Sequence, residues 1–165
     1  MNAGLPIRIA VMGCANIARR SVIPAILSVP ELRLAGVASR SPEKGRAFAA
    51  QFGCPFLGSY EDLVGHEAVD ALYIPLPTGL HFEWAAKALS AGKHLLVEKS
   101  LAASLPEAEA LVAAARQQRR VLMENYMFEH HAQQQVVKAI IRETLGEIRL
   151  FRATFCFPPL PPGNF

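Results

Sequence analysis

The hexapeptide Gly13-Cys14-Ala15-Asn16-Ile17-Ala18 follows a short apolar run, and small residues at such a turn let backbone amides close around a phosphate. In the dinucleotide-binding form of this turn, G-x-G-x-x-G, the first glycine makes the tight bend. The second lets the backbone approach the pyrophosphate, and the third allows close helix–strand packing. Gly13 fills the first place, and Ala18 is an accepted substitute at the third. Ala15 departs from the pattern, because it sets a methyl group where phosphate and backbone come closest. Taken alone, the hexapeptide is equally consistent with a small-residue turn in some other α/β fold. Its place in the first strand–turn–helix unit favours the phosphate reading, with Gly13, Cys14, Ala15, Asn16 and Ile17 as contacts.

About twenty residues further on, at the end of the next apolar run, enzymes that use NAD place an acid for the ribose hydroxyls. Here Ser39 and Arg40 stand there instead. A hydroxyl and a guanidinium can hydrogen-bond and pair with the extra 2′-phosphate of NADP, so NADP is the expected cofactor and NAD the less favoured one. The alternative for Arg40 is a solvated loop charge. His130 and His131 are adjacent, so they cannot share a helix face as a metal pair, and no carboxylate cluster accompanies them; no metal is expected.

These residues need strands to aim them. Ile7 to Met12 reads as a strand buried on both faces, and Ile17 to Ser28 as a helix. Leu32 to Ala38 repeats the strand, and Glu43 to Phe52 the helix, stopped by Gly53. Val69 to Ile74 is a third strand ended by Pro75 and Pro77. His81 to Ser90 is the helix after it, and His94 to Val97 a fourth strand. Ser104 caps a helix to Gln118 with Pro106 and Glu107 in its first turn, and Val121 to Met123 is a fifth strand. Such alternation predicts an α/β fold, a Rossmann-type doubly wound parallel sheet. Thr78 and His81 then fall at the carboxyl end of the third strand, where ligands of open α/β sheets bind. For His81, a helix-start residue without further work is the competing reading.

Beyond Gln133 the pattern changes to a helix reaching about Thr144, a stop at Gly146, and a longer strand from Ile148 to Phe157. This reads as the start of a second α+β domain, with 1–124 as the dinucleotide-binding domain and 125–165 as the opening of the next. The tail Pro158 to Phe165 is proline-rich and extended. Exposed edges and the aromatic Phe151, Phe155 and Phe157 in the Ile148–Phe157 strand predict self-association through it.

Composition agrees with a globular chain. Of 165 residues, 52% are hydrophobic and 19% charged, enough for a real core. A net charge of +3, with basic residues scattered or paired, does not suggest nucleic acid. Cys14, Cys54 and Cys156 match no zinc or redox spacing and read as buried or incidental thiols in a reducing cytoplasm. With no signal-like stretch and no apolar run of about 18 residues, no membrane partner is expected.

Glu98-Lys99-Ser100, following Leu95-Leu96-Val97, resembles the E-K-P motif of the Gfo/Idh/MocA oxidoreductases, and Pro77-Thr78-Gly79-Leu80-His81 resembles their P-T-x-x-H turn. The segment Glu124 to Gln133, with Gly146-Glu147-Ile148 after it, is similar to the subgroup that reduces keto-sugar nucleotides and related sugars or dihydrodiols. Ser100 departs from the usual proline but leaves Glu98 and Lys99 in place. The resemblance implies hydride transfer between nicotinamide and a sugar or sugar-nucleotide substrate. It implies Lys99 as the catalytic residue at the reacting oxygen, where an ammonium stabilises developing negative charge and helps deliver a proton. It also implies Leu76, Pro77, Thr78, His81, Glu98 and Asn125 as neighbours of the cofactor, with Glu98 touching the ribose or orienting the lysine. Family members run to about twice this length, and their second domain supplies substrate contacts, so a cofactor-binding remnant or a nucleotide-sensing protein is the alternative to an active enzyme.

Overall fold

The structure is a computed structural model of the chain and describes residues 4–154 and residue 156. It divides into two compact units at the step from Tyr126 to Met127.

The first unit is built on five parallel strands, β1 (Ile7–Met12), β2 (Leu32–Ala38), β3 (Ala71–Ile74), β4 (His94–Glu98) and β5 (Leu122–Asn125), in the order β2-β1-β3-β4-β5. Helices α1 (Ile23–Ser28), α2 (Pro42–Gln51), α3 (Tyr60–Val64), α4 (His81–Ser90) and α5 (Leu105–Gln117) connect them. This is the expected Rossmann fold. The strand runs are apolar throughout because both faces of the sheet are covered, and alternate residues serve opposite faces. Met12, Leu72, Ile74 and Val97 pack with Trp84, Leu89 and Leu111 on one side. Val11, Val37 and Tyr73 pack with Ile23 and Phe48 on the other.

Outside β2 the segment 55–58 lies along the strand edge. Val37 N donates to the Pro55 carbonyl (3.0 Å), Leu57 N to Val37 (2.8 Å) and Ser39 N to Gly58 (3.0 Å). A Cβ at Gly36 would come within 2.6 Å of the Pro55 oxygen, so the glycine is what admits this covering segment to an otherwise open edge.

Three elements differ from expectation. The first helix passes through a π-helical turn, Ala18–Val22, before α1; Pro24 in the first turn of α1 has no N–H to give the regular ladder. Helix α3 was not foreseen. Its signal was a capping box, in which Ser59 Oγ accepts from Asp62 N (3.1 Å) while Asp62 accepts from Ser59 N (2.8 Å). Strand β3 begins at Ala71 and not at Val69; Asp70, just before it, still gives its amide to Arg8 O (2.9 Å) and accepts from His94 N (3.0 Å), and its carboxylate pairs with Arg8 as well. Asp70 Oδ1 takes the guanidinium at 2.7 Å, and Oδ2 accepts from both Nε and the backbone amide of Arg8 at 2.9 Å.

In the second unit a 3-10 turn, Met127–His130, leads to α6 (Ala132–Ile140), a π-helical turn Ile141–Leu145 and Gly146 at φ 69°. The strand expected from Ile148 to Phe157 is not present in residues 148–154 or at 156; Phe155, Phe157 and the tail Pro158–Phe165 lie outside the described residues. β-branched and aromatic residues favour a strand only when another strand supplies hydrogen bonds, and no described segment pairs here. Within that segment the side chains of Ile148, Leu150 and Phe151 are exposed. Among the described residues no helix is long and apolar enough to cross a membrane.

The Arg8 guanidinium holds the Asp70 carboxyl at about 2, against an ordinary value of 3.8 and against partial desolvation. A depressed carboxylate stabilises the fold fully above its unfolded value, and that contribution is lost as pH falls through the folded one. Side-chain exposures of 40% and 38% mean the pair is screened, so the effect is smaller than the shift alone implies. Asp70→Asn is expected to lower stability at neutral pH in urea unfolding. The gap to the parent should close as pH falls from about 4 to about 2.

Candidate functional site

Parallel strands deliver their following turns to one edge of the sheet. Gly13 follows β1, Ser39 follows β2 and Leu76 lies just past β3; Glu98 ends β4, and Asn125 ends β5. Strand order reverses between β1 and β3, which opens a crevice outside their carboxyl ends.

The first turn is closed on three sides. Gly13 has φ 100°, its amide donates to the Ala38 carbonyl (2.8 Å), and a Cβ there would stand 3.1 Å from Leu76 Cδ2 and 3.2 Å from Tyr60 Oη. Only glycine takes that backbone conformation without strain. Arg19 N donates to Ala15 O (3.2 Å), so the amides before it sit at the opening of the helix, where N–H groups lack helical partners and suit an anion. Cys14, Ala15 and Ile17 are half-buried and Asn16 exposed, its side-chain oxygen taken by the Arg19 guanidinium.

Ser39 is buried, and its Oγ accepts from Ser41 N (3.2 Å), ordering the turn into α2. Arg40 is exposed and lies beside Tyr60. Burial pushes the Tyr60 phenol up, and the Arg40 guanidinium pulls it back the other way. Tyr60 packs edge-on against Trp84, with ring centroids 5.2 Å apart. It links the Gly13 turn to Arg40 and was missed in the sequence, where the Ser59/Asp62 capping box was the available signal.

At the other end of the edge, Glu98 is gripped by its neighbours. Its Oε1 accepts from Tyr73 Oη and from Asn125 Nδ2, both at 2.6 Å. Burial, and then the hydrogen bond to this carboxylate, raises the Tyr73 phenol far above the ordinary range, so it stays a donor. Glu124 Oε1 accepts from Leu101 N (2.7 Å), fixing the chain just beyond Lys99, whose peptide bond to Ser100 is cis. Lys99 itself is exposed, and its ammonium has no hydrogen-bond partner among the described residues.

Pro77 is exposed and Thr78 half-buried, in the 3-10 turn that precedes α4. His81, expected next to a cofactor, is fully buried at the start of α4, with both ring nitrogens against the carbonyls of Leu76 and Ser100. It has no free ring nitrogen to offer a ligand. The remaining sequence-predicted residues stand along the one edge. His130 and His131 belong to the second unit, where His131 Nδ1 caps α6 by accepting from Gln133 N (3.1 Å). Among the described residues no three His, Cys, Asp or Glu side chains cluster as metal ligands would. Cys14 and Cys54 are half-buried free thiols, whereas Cys156, expected to be buried or incidental, is exposed.

A parallel sheet with a glycine turn at its switch point is the architecture of a dinucleotide-binding domain. Residues 7–126 match the Gfo/Idh/MocA oxidoreductase family with an NAD-binding Rossmann fold, and the chain belongs to that family. It is 44% identical over 157 residues to the dTDP-3,4-didehydro-2,6-dideoxy-alpha-D-glucose 3-reductase of Saccharopolyspora spinosa, which covers 94% of this chain and 47% of that protein. It is 36% identical to D-xylose 1-dehydrogenase (NADP(+)) 2 of Haloferax volcanii, over 93% of this chain and 47% of the relative. Among solved structures, KijD10, a 3-ketoreductase from Actinomadura kijaniata in complex with NADP and TDP-benzene, superimposes with a TM-score of 0.90 at 44% identity. That match covers 96% of this chain and 49% of KijD10. The chain thus spans about half the length of the curated relatives it matches.

Tyr73→Phe deletes one of the two donors to Glu98 from a fully buried position. A hydrogen bond to a charged group contributes about 1.5–3 kcal/mol. Chemical denaturation should show a loss of about that size, with Asn125 still holding the carboxylate; an unchanged unfolding midpoint would mean the contact carries nothing.

Proposed function

We propose that the first unit binds NADP(H) along the carboxyl edge, and that the chain serves hydride transfer between the nicotinamide and a sugar or keto-sugar nucleotide. The observation that carries the cofactor reading is Arg40, exposed after β2 beside the Gly13 turn, in a stretch that has no acid. The residues present fit the group. Gly13 leaves room for the turn, amides at the helix opening suit the pyrophosphate, and Ser39 and Arg40 offer a hydroxyl and a cation to the 2′-phosphate. The assignment of Cys14, Ala15, Asn16, Ile17, Leu76, Pro77, Thr78 and Asn125 to the same groove belongs to this reading.

Bound there, the cofactor supplies or accepts the hydride. In the direction of carbonyl reduction, the Lys99 ammonium hydrogen-bonds the substrate oxygen, stabilises its growing negative charge and passes it a proton. Glu98, held by Tyr73 and Asn125, orients the strand end from which Lys99 projects. The second unit, from Met127, belongs in this reading to a part of the protein that serves substrate binding and dimerisation. A keto-sugar nucleotide is supported by the names of the 3-reductase relatives, and a free sugar by the xylose dehydrogenase. Three unpaired cysteines suit a reducing cytoplasm.

Calorimetry is expected to show tighter binding of NADPH than of NADH. Arg40→Asp should shift the ratio toward NADH by about tenfold or more, the scale of one charge-assisted hydrogen bond. Equal affinity in the parent would sink the NADP reading.

A second reading is cofactor binding without turnover, since a dinucleotide fold does not by itself fix catalysis. NADPH oxidation with keto-sugar nucleotides is expected to fall by orders of magnitude in Lys99→Met, the cost of losing the group at the reacting oxygen. NADPH binding with no oxidation in the parent would favour the second reading, and turnover abolished by Lys99→Met would discard it.

A further inference from the structure

Both nitrogens of the His81 ring face carbonyl oxygens. Nδ1 lies 2.7 Å from the Ser100 oxygen and Nε2 2.6 Å from the Leu76 oxygen, in a ring that is fully buried. A neutral imidazole has one N–H and one lone pair, so either tautomer would set a lone pair against a carbonyl lone pair at hydrogen-bond distance. With both nitrogens protonated, each contact becomes a charge-assisted hydrogen bond. We propose that His81 is an imidazolium clamp, donating from both nitrogens, that ties the turn after β3 to the turn after β4 and so positions Lys99.

Burying a cation is costly, and the start of α4 presents the positive end of a helix dipole that opposes it. The opposing terms are local. The charged and titratable groups on the elements that meet here are Glu83 and Lys87 on α4, paired with each other at 2.6 Å, His94 and Glu98 on β4 with Lys99 just after it, and Glu124 on β5. None of them hydrogen-bonds the ring, which leaves the two carbonyls as its direct partners. The two carboxylates of this network bracket Ser100 along the chain. Glu98 lies two residues before it, and Glu124 binds the amide one residue after it.

The arrangement isolates one side chain. Glu98 is held by Tyr73 and Asn125, the Ser100 carbonyl by His81, and the Leu101 amide by Glu124. Between these anchors the Lys99 ammonium has no hydrogen-bond partner among the described residues, and the chain is tied at Glu98 before it and at Ser100 and Leu101 after it. His81 is thus a positioning residue, acting on Lys99 through Ser100 while its other nitrogen pins the Leu76 turn.

The protonation state is read directly from a long-range proton–nitrogen correlation spectrum of the nitrogen-15-labelled polypeptide, with His81 assigned by its loss in His81→Gln. Both ring nitrogens are expected at the protonated-imidazolium shift at neutral pH; one nitrogen at the bare-nitrogen shift overturns the clamp. This arm needs no variant that might fail to fold beyond the one used for assignment.

The consequence for Lys99 rests on the reading that Lys99 faces bound NADP(H), and it is tested separately by amine acylation followed by mass spectrometry. NADPH should protect Lys99 in the parent. That protection, read for each protein at an NADPH concentration that calorimetry shows to be saturating, should weaken in His81→Gln and vanish in His81→Phe. Parent-like protection in both variants overturns the positioning role. An unprotected Lys99 in the parent overturns the cofactor reading of that lysine instead, and the ring-nitrogen shifts still decide the clamp.

Discussion

Gly13 has no side chain, and three parts of the first unit close on the space a Cβ would need. Its amide is tied to β2 through Ala38, Tyr60 reaches it from α3, and Leu76 reaches it from the turn after β3. A larger residue would meet both neighbours, in a backbone conformation that L-residues rarely adopt. The close approach does two things together. It seats the opening of the first helix over the sheet, where its amides can receive an anion, and it draws Tyr60 to a place from which it also touches Arg40. The turn and the charge at the end of β2 are in this way parts of one packed structure.

The opposite end of the carboxyl edge is organised by polar groups. Glu98 is half-buried and would be costly there without donors; Tyr73 and Asn125 provide them from β3 and β5, the strands on either side of β4. One carboxylate thereby links three adjacent strands at their carboxyl ends. Glu124 and His81 add two contacts to the backbone that follows, so the loop after β4 is held by side chains from β5 and α4. A lysine projecting from such a frame needs little rearrangement to meet a reacting group, which is the physical content of preorganisation.

Much of this could be read in the sequence because the signals are local. Apolar runs of strand length alternating with helix-favouring stretches dictate a parallel sheet, since hairpins are excluded by the length of the connections. Gly13, Ser39 and Arg40 follow from their place just after a run, whereas Glu98, Lys99 and Asn125 are marked by the family resemblance. The exceptions have specific causes. The Ile148–Phe157 segment carries strand propensity, but a strand exists only through its partner's hydrogen bonds. Asp70 sits inside an apolar run that reads as strand, and nothing in that run announces the bidentate bond of its carboxylate with Arg8, 62 residues away.

The sequence by itself determined the order of elements, the edge on which the turns meet and the residue types available there, because chain direction and hydrophobic period suffice for these. Tertiary structure alone decided what each side chain touches. Tyr60 comes to Gly13 from 47 residues away, as the numbering of the two shows. Tyr73 and Asn125 converge on a single oxygen of Glu98. His81 turns inward to two carbonyls, where its position in the sequence pointed to the cofactor. Such contacts depend on where separate strands and helices bring their ends together, and no local spacing encodes that distance.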